Sequence, residues 1–188
     1  MSTTIPHGYA QIIATYGNPE GHNGNVNPAW EEANIVDFSP PYPFVYVDDT
    51  GHATSVNHFR VHRLIVPDLK EILTNVYNAA RQLVKTNDGD GFDTTYYDHR
   101  TLQVLAEHRC NVFSGSYVFR NKRGQNVPSD HAFGIAIDFD AQHNAFGAQR
   151  GTLPAWFIKA FTDKGWEWGG QWSGADKDWM HMQRATGY

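Results

Sequence analysis

The chain has 188 residues, 40% of them hydrophobic and 19% charged, which is a globular composition at the size of one compact domain with its own core. Twenty acidic and 15 basic side chains give a formal net charge of -5, with no Lys/Arg cluster, so a nucleic-acid backbone is excluded as the expected partner. Cys110 is the only cysteine; intramolecular disulfides are ruled out, and the thiol, surrounded by no catalytic signature, reads as a small buried hydrophobe.

The stretch Met1–Tyr16 has neither the basic start nor the apolar run of a secretory signal. No stretch approaches the ~18–20 consecutive apolar residues needed to span a bilayer. The expectation is a chain made in the cytoplasm, without membrane insertion. The first forty residues are rich in turn formers, as in Gly17-Asn18-Pro19-Glu20-Gly21 and Asn23-Gly24-Asn25, and predict surface loops with short extended pieces. Phe44-Val45-Tyr46-Val47 predicts a strand closed by the turn Asp48-Asp49-Thr50-Gly51. The segment holds too few periodic apolar residues for a second core, so a single domain over 1–188 is expected, with a loop-rich extension at 1–60 and the working core at 61–188.

A helix is predicted from Pro67-Asp68 onward, because Ile65, Leu69, Ile72, Val76, Ala80 and Leu83 share one face. Asn87-Asp88-Gly89-Asp90-Gly91 reads as a solvated turn; it lacks the later ligands and closing Glu of a calcium loop. A short helix follows around Thr101–Glu107. Tyr117-Val118-Phe119 and Gly134–Phe139 have strand composition. Pro154–Lys164 fits a helix with proline in its first turn and Gly165 past its end. Trp166-Glu167-Trp168 and Trp179–Met182 read as further strands. The class expected is α+β, a small antiparallel sheet flanked by helices.

Within Ser129–Asp138, Ile135 and Ile137 would face the core while Ala136 and Asp138 face the other way. Gly134 would let His131, just before the strand, bend toward Asp138. Asp178-Trp179-Met180-His181 supplies another histidine with a carboxylate three residues ahead of it. Two imidazoles and a carboxylate fit a three-ligand zinc site with an open fourth position. On spacing alone, a capped turn at Ser129–His131 and an Asp138 taking local hydrogen bonds fit as well. The other eight of the ten histidines read as surface or hydrogen-bonded groups. Asp140 and Asp176 read as surface or supporting carboxylates. Trp166, Trp168 and Trp172 read mainly as core anchors, while one or more of them, with Trp172 as the candidate, could instead line a groove and contact substrate.

The run Ser-x-His-x-x-Gly-x-Ala-x-Asp, Ser129 to Asp138, resembles the first metal motif of the D-alanyl-D-alanine carboxypeptidase family, which includes phage L-alanyl-D-glutamate endopeptidases. Asp-x-x-His at Asp178–His181 is similar to its second motif, Gly165-Trp166-Glu167-Trp168-Gly169-Gly170 to the stretch before it, and Arg120 to its substrate-binding arginine. The resemblance covers Gly115–Gln183. It implies one zinc per chain on His131, Asp138 and His181, with Asp178 as general base. Arg120 would act as a clamp for a carboxylate or oxyanion, and Ser129 would orient the His131 loop or hydrogen-bond substrate. Asp178 is one methylene shorter than the usual Glu, and Trp179 replaces a common Pro. The implied function is hydrolysis of the peptidoglycan stem peptide, of endopeptidase or D-Ala-D-Ala carboxypeptidase type. The implied setting is a monomeric phage or bacterial lytic enzyme that reaches the wall after release by another factor. Hedgehog signalling domains share this metal architecture, so a zinc-stabilised binding module is the alternative. A phage structural component with contacts through Met1–Pro43 is a third. Retention of Asp178 and Arg120 favours the enzyme.

Overall fold

The computed structural model describes residues 4–187, so the first residues of the Met1–Tyr16 stretch lie outside it. In chain order the helices are α1 (Gly8–Tyr16), α2 (Pro28–Asn34), α3 (Val66–Asp88), α4 (Thr94–Glu107) and α5 (Ala155–Thr162). The strands are β1 (Ile35–Phe38), β2 (Phe44–Val47), β3 (Ala53–Val56), β4 (Phe59–His62), β5 (Phe113–Gly115), β6 (Ala136–Phe139), β7 (Glu167–Trp168) and β8 (His181–Gln183). Helix and antiparallel sheet are thus mixed, as the order of predicted elements suggested.

The clearest periodicity gives the longest helix. α3 buries Leu69, Ile72, Leu73, Val76, Ala80 and Val84, and Leu83, expected on that face, is only partly buried beside it. Asp93 caps α4 by accepting from the Tyr96 amide at 2.8 Å. A four-stranded antiparallel sheet has the order β5-β6-β8-β7. Strand alternation works as expected: Ile135, Ile137 and Phe139 are fully buried, and Phe139 meets Phe157 and Phe161 of α5 at 5.0 and 5.6 Å between centroids. Asp138 therefore points away from the helices. Cys110 is buried, and burial pushes its thiol well above the usual range.

Two expectations need correction. Tyr117–Phe119 is not a strand. The Ser116 hydroxyl and the Tyr117 amide both donate to the Arg60 carbonyl, at 2.8 and 3.2 Å, and pull the chain off the sheet after Gly115. The first sixty residues are also more than loops, since α1, α2 and β1 place Ile12, Tyr16, Trp30, Ile35 and Phe38 in the core. Asn27 starts α2 by accepting from the Ala29 and Trp30 amides, with Pro28 in its first turn. α1 has no side-chain cap; the Gly8 amide donates instead to the Thr186 carbonyl at 2.8 Å. That tie comes from the far end of the chain and leaves no local signal. The β2–β3 hairpin and its Asp48 turn form as predicted.

One contact carries the N-terminal segment into the sheet. Gly134 has a left-handed φ of 69°, and a Cβ there would come within 2.8 Å of both the His62 amide nitrogen and the Ile35 side chain. Its carbonyl accepts from the His62 amide at 2.8 Å. His62 itself is buried and neutral. Nδ1 accepts from the Leu64 amide and Nε2 donates to the Tyr16 carbonyl, and burial pushes its pKa down to about 4. The unfolded chain, with a histidine pKa of about 6.5, binds more protons between these values. The contribution of neutral His62 is therefore complete above pH ~6.5 and is lost as pH falls toward 4. Thermal melts in chelator should show Tm falling over that window, and His62→Gln should flatten the slope; an equal slope in the variant would contradict the assignment.

Candidate metal centre

β6 and β8 pair so that Asp138 and His181 are cross-strand partners. Asp138 Oδ1 lies 3.0 Å from His181 Nδ1, and Oδ2 lies 3.2 Å from His131 Nε2. His131 sits on the single 3-10 turn Asp130–Phe133 that Gly134 ends, its ring centroid 5.0 Å from that of His181. One ligand atom from each of the three residues lies within 4.8 Å of the others.

The hydrogen-bond partners decide which ring nitrogens face inward. His131 Nδ1 lies 2.7 Å from the Ser116 carbonyl, which can only accept, so Nδ1 carries the proton and Nε2 offers its lone pair. Gln183 donates its amide nitrogen to Glu167 Oε2 and the Ala185 carbonyl, so its Oε1 is the acceptor for His181 Nε2 at 2.9 Å. The lone pair of His181 Nδ1 is then turned toward Asp138. Three electron-rich atoms converge, and a cation or shared protons must neutralise them. Burial alone would raise the Asp138 carboxyl, but the His131 and His181 imidazoles outweigh it and hold the group far below the usual range. Burial likewise lowers His181, but the Asp138 hydrogen bond and the neighbouring carboxylates lift it to about 9. Two imidazoles, each oriented from behind by an acceptor, together with a carboxylate are a fitting donor set for a divalent metal.

Asp178 joins them in one cavity of about 770 Å³, whose lining includes His131, His181, Arg120, Ser129 and Trp172. The Asp178 amide donates to the Gly169 carbonyl at 3.1 Å and its carbonyl accepts from the His181 amide at 3.3 Å. A Cβ at position 169 would lie 2.5 Å from the Asp178 carbonyl oxygen, so only glycine allows this approach. Asp178 Oδ1 is buried without a hydrogen-bond partner among the described residues. Burial raises the pKa of this carboxyl, with the His181 charge opposing.

The other expected residues are distributed as follows. Arg120 is exposed at the rim, its carbonyl accepting from the Ser129 amide at 2.9 Å. Ser129 caps nothing with its side chain, against the capped-turn alternative, and its buried Oγ has no partner among the described residues. Trp172 donates to Glu167 Oε1 at 2.7 Å and stands 5.3 Å from the His181 ring. Trp166 is core. Asp176 is exposed on the cavity wall. Asp140 corrects the reading as a surface group: it is buried, accepts from Arg109 Nε at 2.7 Å, and lies 3.0 Å from His143 Nδ1. Its left-handed φ of 47° turns the chain out of β6. Sequence reasoning missed Gln183, whose signal was its place two residues beyond His181 on the same strand face, and the Ser116 carbonyl, which leaves no side-chain signal. It also missed buried Asp130, whose Oδ1 is unpaired among the described residues.

Residues 122–184 match the family model described as D-alanyl-D-alanine carboxypeptidase, a span holding His131, Asp138, Asp178 and His181 and stopping just short of Arg120. The L-alanyl-D-glutamate peptidase of Listeria phage A118 is 28% identical over 110 residues, or 57% of this chain. The matched part of the chain is thus similar to the D-alanyl-D-alanine carboxypeptidase family, in keeping with the motif resemblance. The match spans only 36% of the phage relative's length, and no solved structure matches the chain.

If Gln183 orients His181, Gln183→Leu should weaken zinc binding by about 10- to 100-fold in chelator competition. Added zinc should raise the Tm of the wild type and leave that of His181→Ala unmoved. Wild-type affinity in the first variant, or a wild-type zinc shift in the second, would contradict the assignment.

Proposed function

We propose that this chain is a zinc-dependent peptidase acting on the stem peptide of peptidoglycan. The observation that carries the reading is the convergence of His131 Nε2, Asp138 and His181 Nδ1 beside the buried, unpaired carboxylate oxygen of Asp178. His131, Asp138 and His181 would hold the zinc. When bound, it supplies Lewis acidity toward a peptide carbonyl and toward water.

Asp178 takes a proton from the attacking water at its unpaired Oδ1 and passes it to the leaving amine. Burial lifts its pKa from the ordinary carboxylate value toward working pH, which suits both halves of that exchange. The Gly169 contact draws the Asp178 turn inward, which offsets a side chain one methylene shorter than the family's usual Glu. Arg120, on the rim of the same cavity, presents a fork of donors to a substrate carboxylate or a developing oxyanion. The Ser129 hydroxyl is free to bond a substrate peptide group. Trp172 walls the cavity beside His181 and keeps water from that side.

The family's description and the relative's printed name both point to wall peptides, one to a carboxypeptidase and the other to cleavage between L-Ala and D-Glu. A phage or bacterial lytic enzyme, monomeric and made in the cytoplasm, is the setting that fits best. Purified peptidoglycan should be digested by the wild type and by Asp178→Ala, with zinc content measured on both and new termini identified by mass spectrometry. Loss of the base should slow release by about 10²- to 10⁴-fold at unchanged zinc content. New L-Ala and D-Glu ends identify an endopeptidase, and free D-Ala a carboxypeptidase. Stoichiometric zinc with no new termini from any wall type would leave a zinc-stabilised binding module in its place.

A further inference from the structure

The ligand cluster opens on two sides. Besides the cavity that holds Asp178 and Trp172, a second one of about 620 Å³ has Arg120, His131 and Asp138 in its wall. Arg120 and His131 line both cavities, His181 faces the first and Asp138 the second. The three candidate ligands therefore stand between two cavities that meet at Arg120 and His131. Each half falls within the ~300–1,000 Å³ typical of small-ligand sites, so each has room for a short peptide segment.

The second half is built by residues outside the family-matched span. Its outer wall is the β1–β4 pair, where Asp37 and Arg60 are register partners and His58 precedes β4. Its inner wall is the stretch Ser114–Val118. Ser116 and Tyr117 both bond the Arg60 carbonyl, which fixes the distance between the walls. The Arg60 guanidinium lies 4.8 Å over the Tyr117 ring and pairs with Glu31 at 2.9 Å. Phe59 and Phe113 stack at 4.7 Å beneath. The result is a braced groove with an aromatic floor and a rim of exposed ionisable groups, Asp37, His58 and Arg60.

We infer that this groove is the second arm of the substrate cleft, taking the residues of a charged, extended peptide on the far side of the scissile bond from Asp178. The inference rests on the peptidase reading and deepens it. An enzyme that trims one terminal residue needs a cleft closed just past the reacting bond. A cluster with room on both sides fits cleavage within a chain. The N-terminal segment then takes part in choosing the substrate and does more than cover the core.

The test is a binding titration of the zinc-loaded protein carrying Asp178→Ala, so that peptides survive the measurement. The probes are a stem pentapeptide, L-Ala-γ-D-Glu-diaminopimelate-D-Ala-D-Ala, and the dipeptides from its two ends. The pentapeptide should bind at least about tenfold tighter than either dipeptide, since contacts on both arms add. Adding Asp37→Ala and His58→Ala should remove most of that advantage, with zinc content and Tm retained. Equal affinities for long and short peptides, an advantage untouched by the two substitutions, or no binding of any peptide would overturn the groove. Hydrolysis by the protein with Asp178 intact is followed in parallel. If length-dependent, groove-dependent binding occurs and no peptide is cut, the peptidase reading fails while the groove stands.

Discussion

Two histidines and one aspartate turn their free electron pairs toward a single point. Most of the architecture around them is accounted for by the need to keep them there. Unpaired lone pairs in a buried place are unfavourable unless a cation or proton sits among them, so the cluster favours a shared cation or proton and needs rings that cannot rotate away. The Ser116 carbonyl fixes one ring and the Gln183 amide the other. Gln183 is fixed in turn by Glu167, which also holds Trp172. A wall residue and a ring-orienting residue thus share one carboxylate, and disturbing either is expected to reach the other.

The frame behind the cluster extends over nearly the whole chain. β6 and β8 set Asp138 opposite His181 through backbone pairing, while His131 depends on a turn ended by Gly134. That glycine packs on His62 and Ile35, and His62 is held in turn by Tyr16 of α1. Arg184, just past β8, donates to Asp68 of α3 at 2.6 Å and accepts from the Tyr16 hydroxyl through its own carbonyl. α1, α3, β4 and β8 therefore converge on one polar knot behind the site. The N-terminal helices belong to the scaffold of the candidate metal centre even though the family resemblance does not reach them.

Much of this was legible in the sequence where physics is local. The α3 periodicity gave its buried face, and the alternation of Ile135, Ile137 and Asp138 gave the orientation of β6. The two histidine motifs gave residues that the fold does bring together. What escaped was set by distant partners. α1 starts against Thr186, and the chain leaves the sheet at Ser116 because Arg60 offers a carbonyl. Asp140 is buried because Arg109 and His143 close over it. Backbone groups have no one-letter signature, so the Ser116 carbonyl could not be read at all. Gln183 could have been found by asking which residue shares a strand face with His181.

The central claim is that His131 Nε2, one Asp138 oxygen and His181 Nδ1 hold one zinc ion. Anomalous diffraction at the zinc edge from crystals of the zinc-loaded protein tests it directly. Three-ligand binding predicts a single peak at about 2.0–2.2 Å from all three atoms. A peak at other residues, or zinc-saturated crystals with none at this cluster, would contradict it.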